Sequence, residues 1–305
     1  MRLSVATCFD MVAGTSTGGI LALGIGLGIP CTQIYNIYAS EGNKIFPPVG
    51  NGFIGKLRRA TLWTRRIFTH GYKSAPLEAA LKKVFGNRRL GESVVPLCIP
   101  AYEALHGEPY VYKTRHHPRY KLDHLKKCVD IGLATTAAPT FFKPHQNEGY
   151  VMLDGGVLAN NPIMVAVVDA LACFNLKPQQ IQVVSVGFGD KPYAIPRWKT
   201  AWGGMFVHRA LAIGMMSIQS QNALGQAKLL IGGPEGILRI TPDYQCKPFD
   251  LDDYDRSIAD LPSAAIQKYT ELKNEIRKFT DPRPTTIRKV TIFPNNKNKP
   301  RYMSL

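Results

Sequence analysis

Acidic residues are scarce in this sequence. Against 38 lysines and arginines it sets only 22 aspartates and glutamates, a net charge of +16. Such a surface suits an anionic partner, with lipid head groups and nucleic acid as the two candidates. Low-complexity stretches and internal repeats are absent from the 305 residues, and 45% hydrophobic against 20% charged side chains excludes a disordered or fibrous chain. The six cysteines (Cys8, Cys31, Cys98, Cys128, Cys173 and Cys246) stand far apart with no C-x-x-C pair. That argues against a disulfide framework and predicts buried thiols in a reducing compartment. Neither they nor the seven histidines show zinc-ligand spacing, and no EF-hand loop is present, so no metal and no cofactor is expected. A true membrane-spanning run is missing too. The stretch from Met11 to Pro30 is uncharged, but six glycines (Gly14, Gly18, Gly19, Gly24, Gly26 and Gly28) make it a poor spanning helix, and Asp10 breaks any signal-type apolar core. The expected location is cytoplasmic, with attachment to membranes only at their surface.

The positive charge is local. Residues 56 to 89 carry a net +9, residues 282 to 305 add six basic residues and no acid, and the rest of the chain sums to +1. A concentrated patch predicts a binding face. Projected as a helix, residues 53 to 68 place Phe53, Leu57, Ala60, Ile67 and Phe68 near one side and Arg58, Arg59, Arg65 and Arg66 near the other, with Leu62 and Lys56 breaking the separation. Such a helix can lie in an anionic membrane interface with Trp63 at the boundary; it equally fits a solvated helix whose apolar stripe packs on the core. Neither a zinc finger nor an RNP-like strand is found, so nucleic acid is the weaker candidate partner. Prolines at 282, 284, 294 and 300 mark residues 281–305 as a loosely attached basic tail behind one domain spanning 1–280. Oligomeric state is not legible.

Strands and helices alternate, which predicts an α/β fold with a mainly parallel sheet covered by helices. Phe9 to Ala13 reads as a strand and Thr17 to Leu27 as a buried helix. Val94–Tyr102 and Glu108–Thr114 read as strands around a His106-Gly107 turn, and Leu122–Thr136 as one helix. Tyr150–Leu153 reads as a strand closing on Asp154-Gly155-Gly156, Pro162–Phe174 as a helix, and Ile181–Val186 as a central strand. Farther on, Val207–Leu230 and Ala264–Lys278 have helical spacing around an edge strand at Ile237–Thr241.

Gly14-Thr15-Ser16-Thr17-Gly18 matches G-x-S-x-G between a strand and a helix, where a nucleophile elbow requires it. A serine on so tight a turn sits in strained backbone, and its flanking glycines are expected to lack side chains because these would clash. A glycine-rich turn that cradles phosphate is the competing reading, but a P-loop needs a lysine where Ile20 stands. The serine needs a base. His208 follows the plausible acid in sequence, within an ordinary-looking helix; Asp154, followed by two glycines, is the alternative. A carboxylate is a weak base unless a dry site raises its pKa, and from spacing alone Asp154 serves as well to cap the turn into the next helix.

The strings FDMVAGTSTGGILALGIGLG at 9–28, ATTAAPTFFKP at 134–144 and LDGGVLANNP at 153–162, in that order, resemble the patatin-like phospholipases. The resemblance covers about residues 8 to 190. It implies a three-layer α/β/α lipid acyl hydrolase of the phospholipase A type that works without calcium. Ser16 would be the nucleophile and Asp154 the base, with Gly14, Thr17 and Gly18 forming the elbow and part of the oxyanion site, and Gly155 and Gly156 the D-G-G turn. The implied substrate is a phospholipid or glycolipid ester, cleaved through an acyl-enzyme; an acyltransferase using the same dyad and a catalytically dead lipid-binding relative are the alternatives. The family also carries a glycine-rich oxyanion loop upstream of the serine. Nothing glycine-rich stands between Met1 and Ser16, so the sequence is expected to be an amino-terminally truncated member with impaired activity.

Overall fold

The computed structural model describes residues 5–48, 71–187, 205–242 and 252–280, with a short strand pair at 291–292 and 301–302. Helices are α1 (Thr17–Gly26), α2 (Cys31–Ile45), α3 (Ala75–Phe85), α4 (Cys128–Thr135), α5 (Gly156–Ala159), α6 (Ile163–Cys173), α7 (Met205–Leu230) and α8 (Tyr254–Thr280). Strands are β1 (Val12–Ala13), β2 (Leu97–Glu103), β3 (Glu108–Lys113), β4 (His145–Asn147), β5 (Tyr150–Asp154), β6 (Val183–Val186), β7 (Ile237–Ile240), β8 (Thr291–Ile292) and β9 (Arg301–Tyr302). The fold is α/β, a sheet flanked by helices, as the sequence predicts. Two compact units divide the chain: residues 1–158, 249–260 and 280–305 form one, and 159–248 with 261–279 the other.

In the first unit β2 is the organising strand. Along one edge it pairs antiparallel with β3, from Cys98↔Lys113 to Glu103↔Glu108. This hairpin turns at Gly107, whose φ of 72° suits glycine. The other edge is shared. β1 runs parallel beside Leu97 and Cys98, and β5 runs antiparallel beside Ala101 to Glu103, in turn pairing with β4. Because β1 and β5 point in opposite directions along β2, their carboxyl ends face each other across a gap at Ile99 and Pro100. A proline has no N–H to give to a ladder, so it fits where a strand edge is left without a neighbouring strand. Glu103 closes the far end. Burial alone would raise its carboxyl, but the amides of His106, Leu105 and Val151 together with the His106 ring hold it down at about 2.

The core explains the uncharged stretch near the amino end. Helix α1 buries Ile20, Ala22 and Leu23. Ile20 and Leu23 pack in one cluster with Leu81 and Phe85 of α3, Leu97 and Ile99 of β2 and Ile131 of α4. The helix is buried on most sides, which its apolar composition suits, with Thr17 and Leu21 left exposed. Among the described residues no helix is long and apolar enough to cross a membrane. In the second unit β6 and β7 pair in parallel, Val183↔Ile237 to Val186↔Ile240, and Ile163 and Val167 of α6 pack with Ala227, Ile231 and Ile237.

Several expectations change. Ile181–Val186, expected as a central strand, pairs among the described residues with β7 in a two-stranded sheet, and the strand expected over Phe9–Ala13 is confined to Val12–Ala13. The helix expected over Leu122–Thr136 is a 3-10 turn at Asp123–Leu125 followed by α4, since Lys126 and Lys127 are extended. The chain there is drawn into backbone pairing with residues 88–90: the Leu90 amide donates to Lys126 O, and the Cys128 amide to Arg88 O. Of the cysteines, Cys98 and Cys128 are buried, but Cys31 is exposed at the start of α2 and Cys8 and Cys173 are half-buried; Cys246 lies outside the described residues.

Candidate active site

After β1 the Gly14 amide still donates to Cys98 O at 3.2 Å; three residues later the chain enters α1. Ser16 makes that turn with φ 55° and ψ −123°, a conformation costing a side-chain-bearing residue about 1–3 kcal/mol. Its carbonyl accepts from the amides of Gly19 (2.8 Å) and Ile20 (3.2 Å) and so starts the helix. A serine at a helix start ordinarily turns its hydroxyl back onto the first-turn amides. Here it does not: Oγ donates to Asp154 Oδ2 at 2.6 Å.

Its two flanking glycines are there for different reasons. A Cβ on Gly14 would sit 1.9 Å from the Gly18 carbonyl oxygen, so position 14 admits glycine only. A Cβ on Gly18 would meet nothing within 4 Å. The expectation that both must be bare to avoid a clash therefore holds at the first position and not at the second.

Asp154 ends β5, opposite Ala101, and is 4% exposed. Its carboxylate is divided: Oδ1 accepts the Gly156 amide at 2.6 Å and Oδ2 accepts the Ser16 hydroxyl. The capping role and the partnership with Ser16, which spacing alone left as alternatives, thus coexist on its two oxygens. Burial raises the carboxyl to about 6 against the lowering pull of Ser16 and Gly156. The group is a stronger base than an exposed aspartate, yet ionised above neutrality. Gly155 is required by close approach, because a Cβ there would lie 2.2 Å from Pro100 O.

One participant escaped the sequence reading. Thr135, the last residue of α4, is fully buried. Its hydroxyl accepts the Ser16 amide at 3.0 Å and donates to Pro100 O at 2.7 Å. Thr135 stands within the string at 134–144, but a threonine ending an apolar helix carries no local mark of such contacts.

Arg58, Arg59, Trp63, Arg65 and Arg66 lie outside the described residues, and so does the side chain of His208. Among the described residues, the groups that hydrogen-bond to the Asp154 carboxylate are the Ser16 hydroxyl and the Gly156 amide, with no imidazole between them.

Residues 3–167 match the family model described as patatin-like phospholipase, a match over more than half of the chain. The chain belongs to the patatin-like phospholipase family. A cGAMP-activated phospholipase from Pseudomonas aeruginosa is 35% identical over 159 residues, which cover 52% of this chain and 45% of that protein. A protein of the same name from Escherichia coli is 27% identical over 205 residues, 63% of this chain and 54% of that one. Patatin-like protein 2 of Arabidopsis thaliana is 30% identical over 184 residues, 53% and 43% of the two chains. This patatin-like chain thus spans about half the length of the curated relatives it matches.

Proposed function

We propose that this patatin-like chain is a lipid acyl hydrolase of the phospholipase A type, using Ser16 as nucleophile and Asp154 as its general base. The observation that carries the reading is the 2.6 Å hydrogen bond from the Ser16 hydroxyl to a buried carboxylate raised to about 6. In the first step Oγ attacks the ester carbonyl carbon while its proton passes to Asp154 Oδ2. The tetrahedral adduct then collapses, the C–O bond to the leaving alcohol breaks, and that alcohol takes the proton from Asp154. Water repeats the sequence on the Ser16 acyl ester, releasing the fatty acid and restoring both groups. The oxyanion needs donors. The Ser16 amide is already given to Thr135 and those of Gly19 and Ile20 to Ser16 O, which leaves the amides of Thr17 and Gly18, at the start of α1 and the positive end of its dipole, to face it.

Family membership and the phospholipase names of the bacterial relatives support glycerophospholipid esters as the substrate class. A fluorophosphonate probe, which phosphonylates activated serines, tests the nucleophile. It is expected to label the wild-type chain and to leave Ser16→Ala unlabelled, with release of fatty acid from phospholipid vesicles lost in parallel. Labelling that persists in Ser16→Ala removes the assignment.

The net charge of +16 supports an anionic lipid surface as the partner. Sedimentation with vesicles containing anionic phospholipid is expected to exceed that with neutral vesicles and to fall as salt rises from about 0.05 to 0.5 M, because added ions screen exposed charge. Equal sedimentation with both vesicle types would remove the charge-based attachment.

A further inference from the structure

Ser16 and Asp154 stand 138 residues apart in the chain, on two turns that share no hydrogen-bonded ladder with each other. β1 and β5 both pair with β2 and not with one another. Pairing with β2 brings the two turns end to end along one edge, and the hydrogen bonds at the gap show what ties them together there. Thr135 makes three bonds there. Its Oγ accepts from the Ser16 amide at 3.0 Å, the same hydroxyl gives its one proton to Pro100 O at 2.7 Å, and its carbonyl accepts the Gly155 amide at 3.1 Å. The first bond holds the nucleophile turn and the third holds the aspartate turn. The second anchors both to β2 at the residue where neither β1 nor β5 covers it.

The packing leaves this side chain no freedom. A Cβ on Gly19 would come within 2.8 Å of Thr135 Cγ2, and one on Gly155 within 3.1 Å of its Oγ. The hydroxyl is engaged in both of its roles: one proton donated to a carbonyl, one lone pair filled by an amide. Ser16 is held in an unfavourable backbone conformation, which persists only where its surroundings over-determine it; an amide tied to a buried hydroxyl supplies that constraint.

We infer that Thr135 is a positioning residue that sets the Ser16–Asp154 distance by bonding the nucleophile turn, the aspartate turn and β2 at once. The inference rests on the dyad reading given under Proposed function. Thr135 touches no reacting atom. Its effect is on the aim of Oγ, and a small error in aim at such a site is costly: displacement of a reacting group by about 1 Å lowers rates about 100-fold.

Thr135→Val keeps the shape and deletes both hydroxyl bonds, whereas Thr135→Ser keeps the hydroxyl and deletes a methyl. In the full chain, at a temperature where each variant is folded by circular dichroism, Thr135→Val is expected to lower the fluorophosphonate labelling rate and kcat about 100-fold with KM little changed. Thr135→Ser is expected to retain both within about fivefold. Labelling of folded Thr135→Val at the wild-type rate, or equal losses in the two variants, would overturn the inference. A second readout needs neither a variant nor activity. Hydrogen exchange at the Ser16 amide of the wild-type protein is expected to be as slow as in β2, and exchange at the rate of an exposed loop would overturn the inference by itself. The dyad reading fails separately, by probe attachment in Ser16→Ala, so a protected Ser16 amide beside that result would sink the catalytic reading and leave Thr135 as the clamp of the two turns.

Discussion

Asp154→Asn is expected to abolish ester hydrolysis while making the protein more stable at neutral pH. The two effects have one cause. An amide of the same shape keeps its single oxygen for the Gly156 amide and turns its NH2 towards Ser16 Oγ, so it donates to the serine and cannot take its proton; loss of a general base lowers kcat by about 10² to 10⁴. The stability effect has the opposite direction. Burial raises the Asp154 carboxyl from 3.8 to about 6, so the folded protein binds this proton more tightly than the unfolded chain. Such a group contributes stability that is fully present below pH of about 4, where both states are protonated, and is lost as pH rises through about 6. At pH 7 and above the fold therefore carries a buried anion, a cost on the order of 3 kcal/mol, since each tenfold change in proton affinity is worth about 1.4 kcal/mol. Asparagine never carries that charge. The Tm of Asp154→Asn is expected to exceed the wild-type value at pH 7.5, with the difference shrinking towards pH 4. In the wild type, kcat/KM is expected to rise with pH through about 6 as the base ionises. A variant less stable than wild type at both pH values, or a rate flat from pH 5 to 8, would show that Asp154 is not the raised carboxylate on which the mechanism depends. Stability gained at the expense of activity is the usual mark of a group kept for chemistry.

Legibility in the sequence followed the range of the interactions involved. The strand, turn and helix around Ser16 are encoded within about fifteen residues, by a short apolar run, two glycines and a helix of small apolar residues. The hairpin of β2 and β3 is encoded by two apolar runs about His106-Gly107. Local cues sufficed for both. Helices α2 and α3 drew no assignment: α3 begins within the basic run, where the charges read as a surface and obscure the apolar residues Leu77, Ala80, Leu81 and Phe85 that it buries. The division at Lys126 and Lys127 depends on residues 88–90, which a window along the sequence does not include. Thr135 is the extreme case, since its partners lie 119 and 35 residues away and nothing in its own neighbourhood separates a clamp from an ordinary helix end. Asp154 stood between these limits. Its D-G-G turn is visible, but its pairing with Ser16 follows from β1 and β5 meeting end to end along one edge of β2.

The two glycines of the G-x-S-x-G turn offer the sharpest separation of packing from pattern. Gly14→Ala is expected to be among the most damaging single changes in the chain. Its new methyl would lie 1.9 Å from the Gly18 carbonyl oxygen, 2.4 Å from the Gly18 carbonyl carbon and 2.8 Å from the Gly19 amide nitrogen. All three atoms are backbone, so no rotamer change relieves the contact and the first turn of α1 has to move. Overpacking of a buried site costs about 1–3 kcal/mol where flexible side chains can give way; against backbone at this distance the cost is expected at or above the upper end, with a Tm lower by about 5 °C or more. Movement of that turn carries Oγ away from Asp154, and labelling by the fluorophosphonate probe is expected to fall at least about 100-fold. Gly18→Ala meets the opposite situation. Its methyl enters space with no atom within 4 Å, in the first turn of a helix, where alanine is favoured over glycine by about 0.5–1 kcal/mol. That variant is expected to melt at or slightly above the wild-type temperature. Thermal denaturation of the pair decides the matter: two equally damaged variants would mean that the motif needs both glycines for packing, and an undamaged Gly14→Ala would mean that the turn holding Ser16 is not the one described.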